Sequence, residues 1–323
     1  FDTTGKALAR ASVQTPTHHP RPEWAYYDPE ELWQSTVQVI QQAISQLQHA
    51  GSVASIAVAS IGETGVPLNA QGKPTYEAIA WFDQRPRAQI QFLEQEIGRD
   101  SLFALTGLPL QPIFSLCKIL WLKDQAPDAF AATTTWLNTA DYIAYRLSGV
   151  AATDYSLASR TLALDIRQRQ WATHLLDELK ISPSLFAPLQ PSGTALGKVL
   201  PEIAQKTGLP AHTRVATGGH DHICGALAVG VNTPGTFLNS LGTAEAFCLP
   251  LDEPITDPQI GRQGFTVCAH VAPDKYYMLG GLYTSGACID WFRNLFGQGT
   301  GYDTLITEAE ASPPGGLGVG FLP

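Results

Sequence analysis

Arg214-Val-Ala-Thr-Gly-Gly-His-Asp-His-Ile-Cys-Gly-Ala-Leu-Ala-Val-Gly230 is the stretch on which the reading of this chain turns. Arg214 to Thr217 reads as a short strand, Gly218-Gly219 as a turn, and the small residues from His222 to Gly230 as a helix. Strands that feed helices in this way build α/β folds, and ligands gather at such strand ends. Asp221 sits at the junction, between glycines that let other groups approach the backbone closely. A carboxylate there can act as a general base, accepting the proton of a hydroxyl that attacks phosphorus. It can also do no more than cap the helix. A metal held by His220, Asp221, His222 and Cys224 is a third option, against which stands the divergence of neighbouring side chains on a helix.

The same alternation extends upstream. Asp2-Thr-Thr-Gly5 reads as a tight turn leading into a strand over Ala7 to Val13. Asp28, with Pro29 at the first helical position and acids behind it, starts a helix over residues 29 to 49. Leu32, Val37, Ile40, Ile44 and Leu47 give that helix its apolar face. Val53 to Ser60 is almost continuously apolar and reads as a central strand buried on both faces. Gly62 to Pro67 is then a loop at its carboxyl end. Helices are expected over Arg87 to Gly98, Ser115 to Lys123 and Thr139 to Leu147.

Downstream, Thr233-Pro234-Gly235 is a turn that divides the chain into residues 1–231 and residues 232–323. Thr236 to Ser240 and Ala246 to Leu249 flank Leu241-Gly242-Thr243 as a hairpin. Its tip, Ser240-Leu-Gly242-Thr243, offers backbone amides and hydroxyls to a phosphate, although an ordinary hairpin turn reads the same way. Tyr276 to Leu279 forms a further strand and passes through Gly280-Gly281 to a helix over Ser285 to Phe296.

Two other groups suit a sugar. Glu63 lies in the loop after the 53–60 strand, and Trp81-Phe-Asp83-Gln-Arg85 combines an indole with charges. Carboxylates accept hydroxyl hydrogens while an indole covers a C–H face. Taken singly, Trp81 also fits a core position, and Asp83 with Arg85 also fits a surface ion pair.

Composition narrows the choice. The 323 residues are 44% hydrophobic, enough for a large core and for two lobes. A net charge of −9 argues against nucleic-acid or anionic-membrane partners and favours a small neutral one. Five cysteines without a C-x-x-C pair suggest neither a disulfide framework nor structural zinc, so they read as reduced cytoplasmic thiols. No apolar run reaches the ~18 residues of a membrane span.

Several segments together carry a resemblance: Gly62-Glu-Thr-Gly65, Ala78-Ile-Ala-Trp81-Phe-Asp83-Gln-Arg85, Thr106-Gly-Leu-Pro-Leu110, Phe114-Ser-Leu-Cys-Lys118, Thr153-Asp154 through Ser159-Arg160-Thr161, Gly219-His-Asp221, Ser240-Leu-Gly-Thr243 and Gly281 through Gly286. In that order they resemble the FGGY carbohydrate kinases, the family that includes glycerol kinase and xylulokinase. The resemblance implies an α/β, two-lobed actin-like ATPase fold of the ribonuclease-H-like type, and phosphoryl transfer from ATP with Mg2+ to a small sugar or polyol in the cytoplasm. It implies Asp221 as catalytic base, Glu63, Trp81 and His222 as sugar contacts, and Gly242, Thr243 and Gly286 as nucleotide contacts. No dedicated protein metal site is expected, and a homodimer is an open option. Members carry a D-x-G-T phosphate loop ahead of the segment that opens here and a glycine-rich adenine segment beyond Phe321-Leu-Pro323. A first strand missing from the N-terminal lobe and an incomplete C-terminal lobe are therefore expected. The alternative to a kinase is a non-catalytic sugar-binding fragment. Ile113 and Gly62 depart from the family pattern and point away from glycerol itself.

Overall fold

Asp28 opens the first long helix through its side chain, which accepts from the Glu30 and Glu31 amides at 2.7 and 3.1 Å. The helix runs Pro29–Ser45 and buries Trp33, Val37 and Ile40, spaced by four and three residues. Each such large apolar side chain contributes about 1.5–3 kcal/mol on burial. A computed structural model describes residues 1–242, 244–282, 284–297 and 299–321.

The helix covers one core together with the Thr139–Ser148 helix and a three-stranded sheet. In that sheet Arg214–His220 is central, antiparallel to Ala195–Lys198 and parallel to Ser55–Ser60. Ser55–Ser60 is thus an edge strand among the described residues, and its residues alternate between exposed and half-buried. The central strand expected from its apolar run is corrected: the pattern reflects small residues on an edge, not burial on both faces. The strand expected over 7–13 does not form. A strand needs a neighbour, and here the Arg10 backbone bonds only the Gln46 side chain, at 3.2 and 2.9 Å, among the described residues.

Gly218 and Gly219 lie inside the Arg214–His220 strand and make no turn. A Cβ on Gly218 would come 1.7 Å from the Val58 carbonyl oxygen, so the glycine serves close strand approach at a register irregularity. Gly280 and Gly281 likewise continue the Tyr276–Leu282 strand.

A second sheet is antiparallel throughout, ordered Leu238–Leu241, Glu245–Leu251, Tyr276–Leu282 and Thr266–Ala269. The hairpin expected around Gly242 is its first pair. The turn at Thr233-Pro-Gly235 forms, with the Thr236 amide 3.3 Å from the Thr233 carbonyl. A larger core runs across that turn, joining Phe114, Leu116 and Ile223 to Cys248, Cys268 and Tyr277. Among the described residues no helix is long and apolar enough to cross a membrane.

Candidate active site

The Arg214–His220 strand delivers its last residue directly into the Asp221–Ala228 helix. Asp154 fixes that junction from below: it accepts from Ser156 Oγ at 2.7 Å, and Ser156 Oγ in turn accepts from the His220 amide at 2.9 Å. Asp221 therefore leaves the sheet next to a backbone amide that is held in place.

The Asp221 side chain is 43% exposed and accepts from the His222 amide at 2.7 Å. His222 Nδ1 lies 3.3 Å and His220 Nε2 3.6 Å from its Oδ1. Partial burial pushes the carboxyl up, but the His222 hydrogen bond and the two imidazoles outweigh that, leaving it below the usual carboxylate range. His222 is raised above its ordinary value, chiefly by the same hydrogen bond. His220 is buried, with Nδ1 3.2 Å from the Tyr277 hydroxyl, and burial lowers it to about 4, so it is neutral near pH 7. The ligand atoms of His220, Asp221 and His222 all lie within 4.8 Å of one another. Cys224, the fourth residue of the expected group, is not among them; His220 reaches the other two from the end of the strand.

His222 opens onto a cleft of about 520 Å3, lined also by Trp81, Gln111, Ile113, Arg160, Gly242, Glu245 and Thr266. Trp81 is 38% exposed there, so its indole is a wall of the cleft and not core. Asp83 and Arg85 are fully buried with Glu77 beside them, an internal ion pair where a surface pair was the alternative.

Glu63 is differently placed. It is 6% exposed, with Arg160 Nε 2.7 Å from Oε1 and Arg160 Nη2 on the same oxygen. Burial pushes Glu63 up, but the charge and hydrogen bonds of Arg160 outweigh it near neutral pH, so it stays ionised. Lys118 Nζ donates to the Glu63 carbonyl at 2.7 Å. Neither cation was assigned chemistry from the sequence. The available signal was a lone base in each apolar run, Leu116-Cys-Lys118-Ile-Leu and Leu157-Ala-Ser-Arg160-Thr-Leu, which burial obliges to find a partner.

At the opposite wall the Gly242 amide donates to the Ala244 carbonyl, and the Gly286 amide donates to the Gly242 carbonyl, both at 2.9 Å. The hairpin tip thus abuts the N-terminus of the Gly286–Leu295 helix, where the helix dipole favours an anion. Gly242 presents a bare Cα, since a Cβ there would meet nothing closer than 3.7 Å. Thr243 lies outside the described residues. Asp290 is bonded by the Tyr302 hydroxyl.

Comparison with known proteins gives this geometry a context. Residues 1–228 match the N-terminal domain of the FGGY family of carbohydrate kinases. A xylulose kinase of Bacillus subtilis (strain 168) is 30% identical over 324 residues, covering 99% of this chain and 63% of the relative. The chain therefore spans about 63% of that curated relative's length. Among solved structures, ligand-bound xylulose kinase from Lactobacillus acidophilus superimposes with a TM-score of 0.91 at 22% identity, over 98% of this chain and 63% of that one. Xylulose kinase from Rhodospirillum rubrum gives 0.87 at 26% identity, over 93% and 62%. The architecture is the α/β, actin-like ATPase fold.

Proposed function

This chain belongs to the FGGY family of carbohydrate kinases, and we propose that it transfers the γ-phosphoryl group of ATP to a hydroxyl of a small sugar or polyol, with Asp221 as general base. The observation that carries this reading is an ionised, half-exposed carboxylate at a rigid strand–helix junction, beside a histidine that lines the cleft. A carboxylate kept deprotonated at neutral pH is ready to take the hydroxyl proton as that oxygen attacks phosphorus.

Trp81 covers the apolar face of the sugar, while His222 and Glu63 meet its hydroxyls. The Gly242–Thr243 tip and the helix starting at Gly286 hold the nucleotide phosphates, which fits the bare Cα and the dipole found there. Glu245 is a carboxylate lining the cleft that would suit a magnesium carried in with the phosphates, where the ion would neutralise their charge. Closure of two lobes, residues 1–231 and 232–323, would exclude water from the reacting oxygen. We place the protein in the cytoplasm, with a homodimer as one assembly to test.

The substrate class is a ketose or alditol, and the name of the Bacillus relative puts xylulose first. The test is ATP consumption over a panel of tetritols, pentitols, ketopentoses and ketohexoses, with Asp221→Asn beside the wild type. The variant is expected to lose turnover at least ~100-fold while its sugar affinity changes little. Turnover within a few-fold of wild type ends the base assignment. Sugar binding without ATP consumption by the wild type leaves the alternative, a sugar-binding fragment.

A further inference from the structure

Arg160 is an enclosed cation that joins two parts of the molecule. Its side chain is 5% exposed, and its guanidinium carbon lies 5.3 Å from the Phe114 ring centre. Nε and Nη2 both converge on Glu63 Oε1, while Nη1 reaches Thr266 Oγ1 at 3.1 Å on a strand of the second sheet. Gly62 is shaped to this arginine, since a Cβ there would stand 2.7 Å from Arg160 Cγ. With Lys118 on the Glu63 carbonyl, the loop is clamped from two directions. Glu63 Oε2 accepts no protein hydrogen bond among the described residues, and the side chain keeps 8% exposure.

We propose that Arg160 is a positioning residue: by occupying Oε1 it turns Glu63 so that Oε2 alone accepts a sugar hydroxyl, and through Thr266 it ties that orientation to the seat of the second sheet. The inference rests on the sugar-binding part of the reading above, and not on phosphoryl transfer. A fork of two N–H groups on one oxygen fixes a carboxylate's rotation in a way that a single ammonium does not. The charged and titratable groups facing Glu63 are Arg160, His220 and Lys118. His220 is neutral near pH 7, but burial lowers Lys118 to about 7, so it titrates in the working range.

The test is calorimetric binding of D-xylulose, ribitol and erythritol without nucleotide, from mildly acidic to mildly alkaline pH, with folding followed by circular dichroism. Arg160→Met is expected to weaken binding about ten-fold or more, and the loss should shrink as pH rises and the unpaired Glu63 gives up its proton. Arg160→Lys restores part of the affinity without the pH dependence. In Arg160→Met/Glu63→Gln the pH dependence disappears, which assigns it to Glu63 and not to Lys118. A folded Arg160→Met that binds as wild type, or is weakened equally at every pH, overturns the proposal. Where Arg160→Met does not fold, Arg160→Lys decides: undiminished binding overturns it, and weaker binding rescued by no other change in charge supports it. Wild type that binds none of these sugars also overturns it. Wild type that binds sugar but consumes no ATP sinks the kinase reading and leaves this one standing.

Discussion

Asp221 and Glu63 are two carboxylates of the same molecule, both ionised, and they are kept so by opposite means. Glu63 is buried and locked by a guanidinium fork, so its negative charge is a fixed part of the scaffold. Asp221 is half-exposed and supported by two imidazoles and a backbone amide, all of which leave it open to solvent. The difference teaches how one fold supplies both an anchor and a base. A carboxylate paired with a permanently charged guanidinium cannot exchange a proton cheaply, whereas one held by neutral or titratable donors can.

The contrast can be broken most severely at the backbone. Gly218→Ala sets a Cβ against a backbone oxygen that cannot move aside, and should cost about 3 kcal/mol or more in urea unfolding. Gly62→Ala meets side-chain atoms, Arg160 Cγ at 2.7 Å and His220 Cδ2 at 3.4 Å, where Gly218→Ala meets backbone at 1.7 Å, and should cost less. Equal costs would show that the Asp221 junction is no more rigid than the Glu63 loop.

A smaller effect should appear at Lys118, whose folded value of about 7 lies below its ordinary 10.5. Between those values the unfolded chain carries the additional proton, so stability climbs as pH rises, by up to about 1.4 kcal/mol per pH unit. The window to read is from pH 7 to 9, because Cys117, raised from 9.0 to about 12, adds the opposite slope above it. Lys118→Met should flatten the climb in pH-dependent denaturation, and an unchanged slope would mean Lys118 is not the group responsible.

The smallest effect belongs to His222. Its hydrogen bond lowers the Asp221 carboxyl, so the base form is lost only as pH falls well into the carboxylate range. Without it that loss begins at higher pH. His222→Gln should reduce kcat/KM a few-fold at neutral pH and shift the acidic limb of its pH profile upward; a limb that stays in place would detach His222 from the base.

Much of the scaffold was legible locally. Asp28-Pro29 marks its helix because capping is decided within a few residues, and the Gly242 hairpin is visible as two β-prone runs around a short polar tip. Gly218-Gly219 reads as a turn in the sequence but lies inside a strand, since a glycine that permits a bend and one that permits a close strand look alike until the neighbouring strand is known. Asp221, Trp81 and His222 stood out as polar or aromatic residues at element ends. Arg160 and Lys118 did not, because their partner lies 97 and 55 residues away along the chain.

By itself the sequence determined the element types, the strand–helix junction that carries Asp221, and a motif order that matches one kinase family, because propensity, capping and spacing act over short range. Only the tertiary structure decided that Glu63 is an anchored anion and that Ser55–Ser60 is an edge strand among the described residues. It also decided that His220 and His222 converge on one carboxylate. Burial and charge pairing are properties of space and not of chain order, and an ionised side chain takes its role from whatever distant group removes it from water.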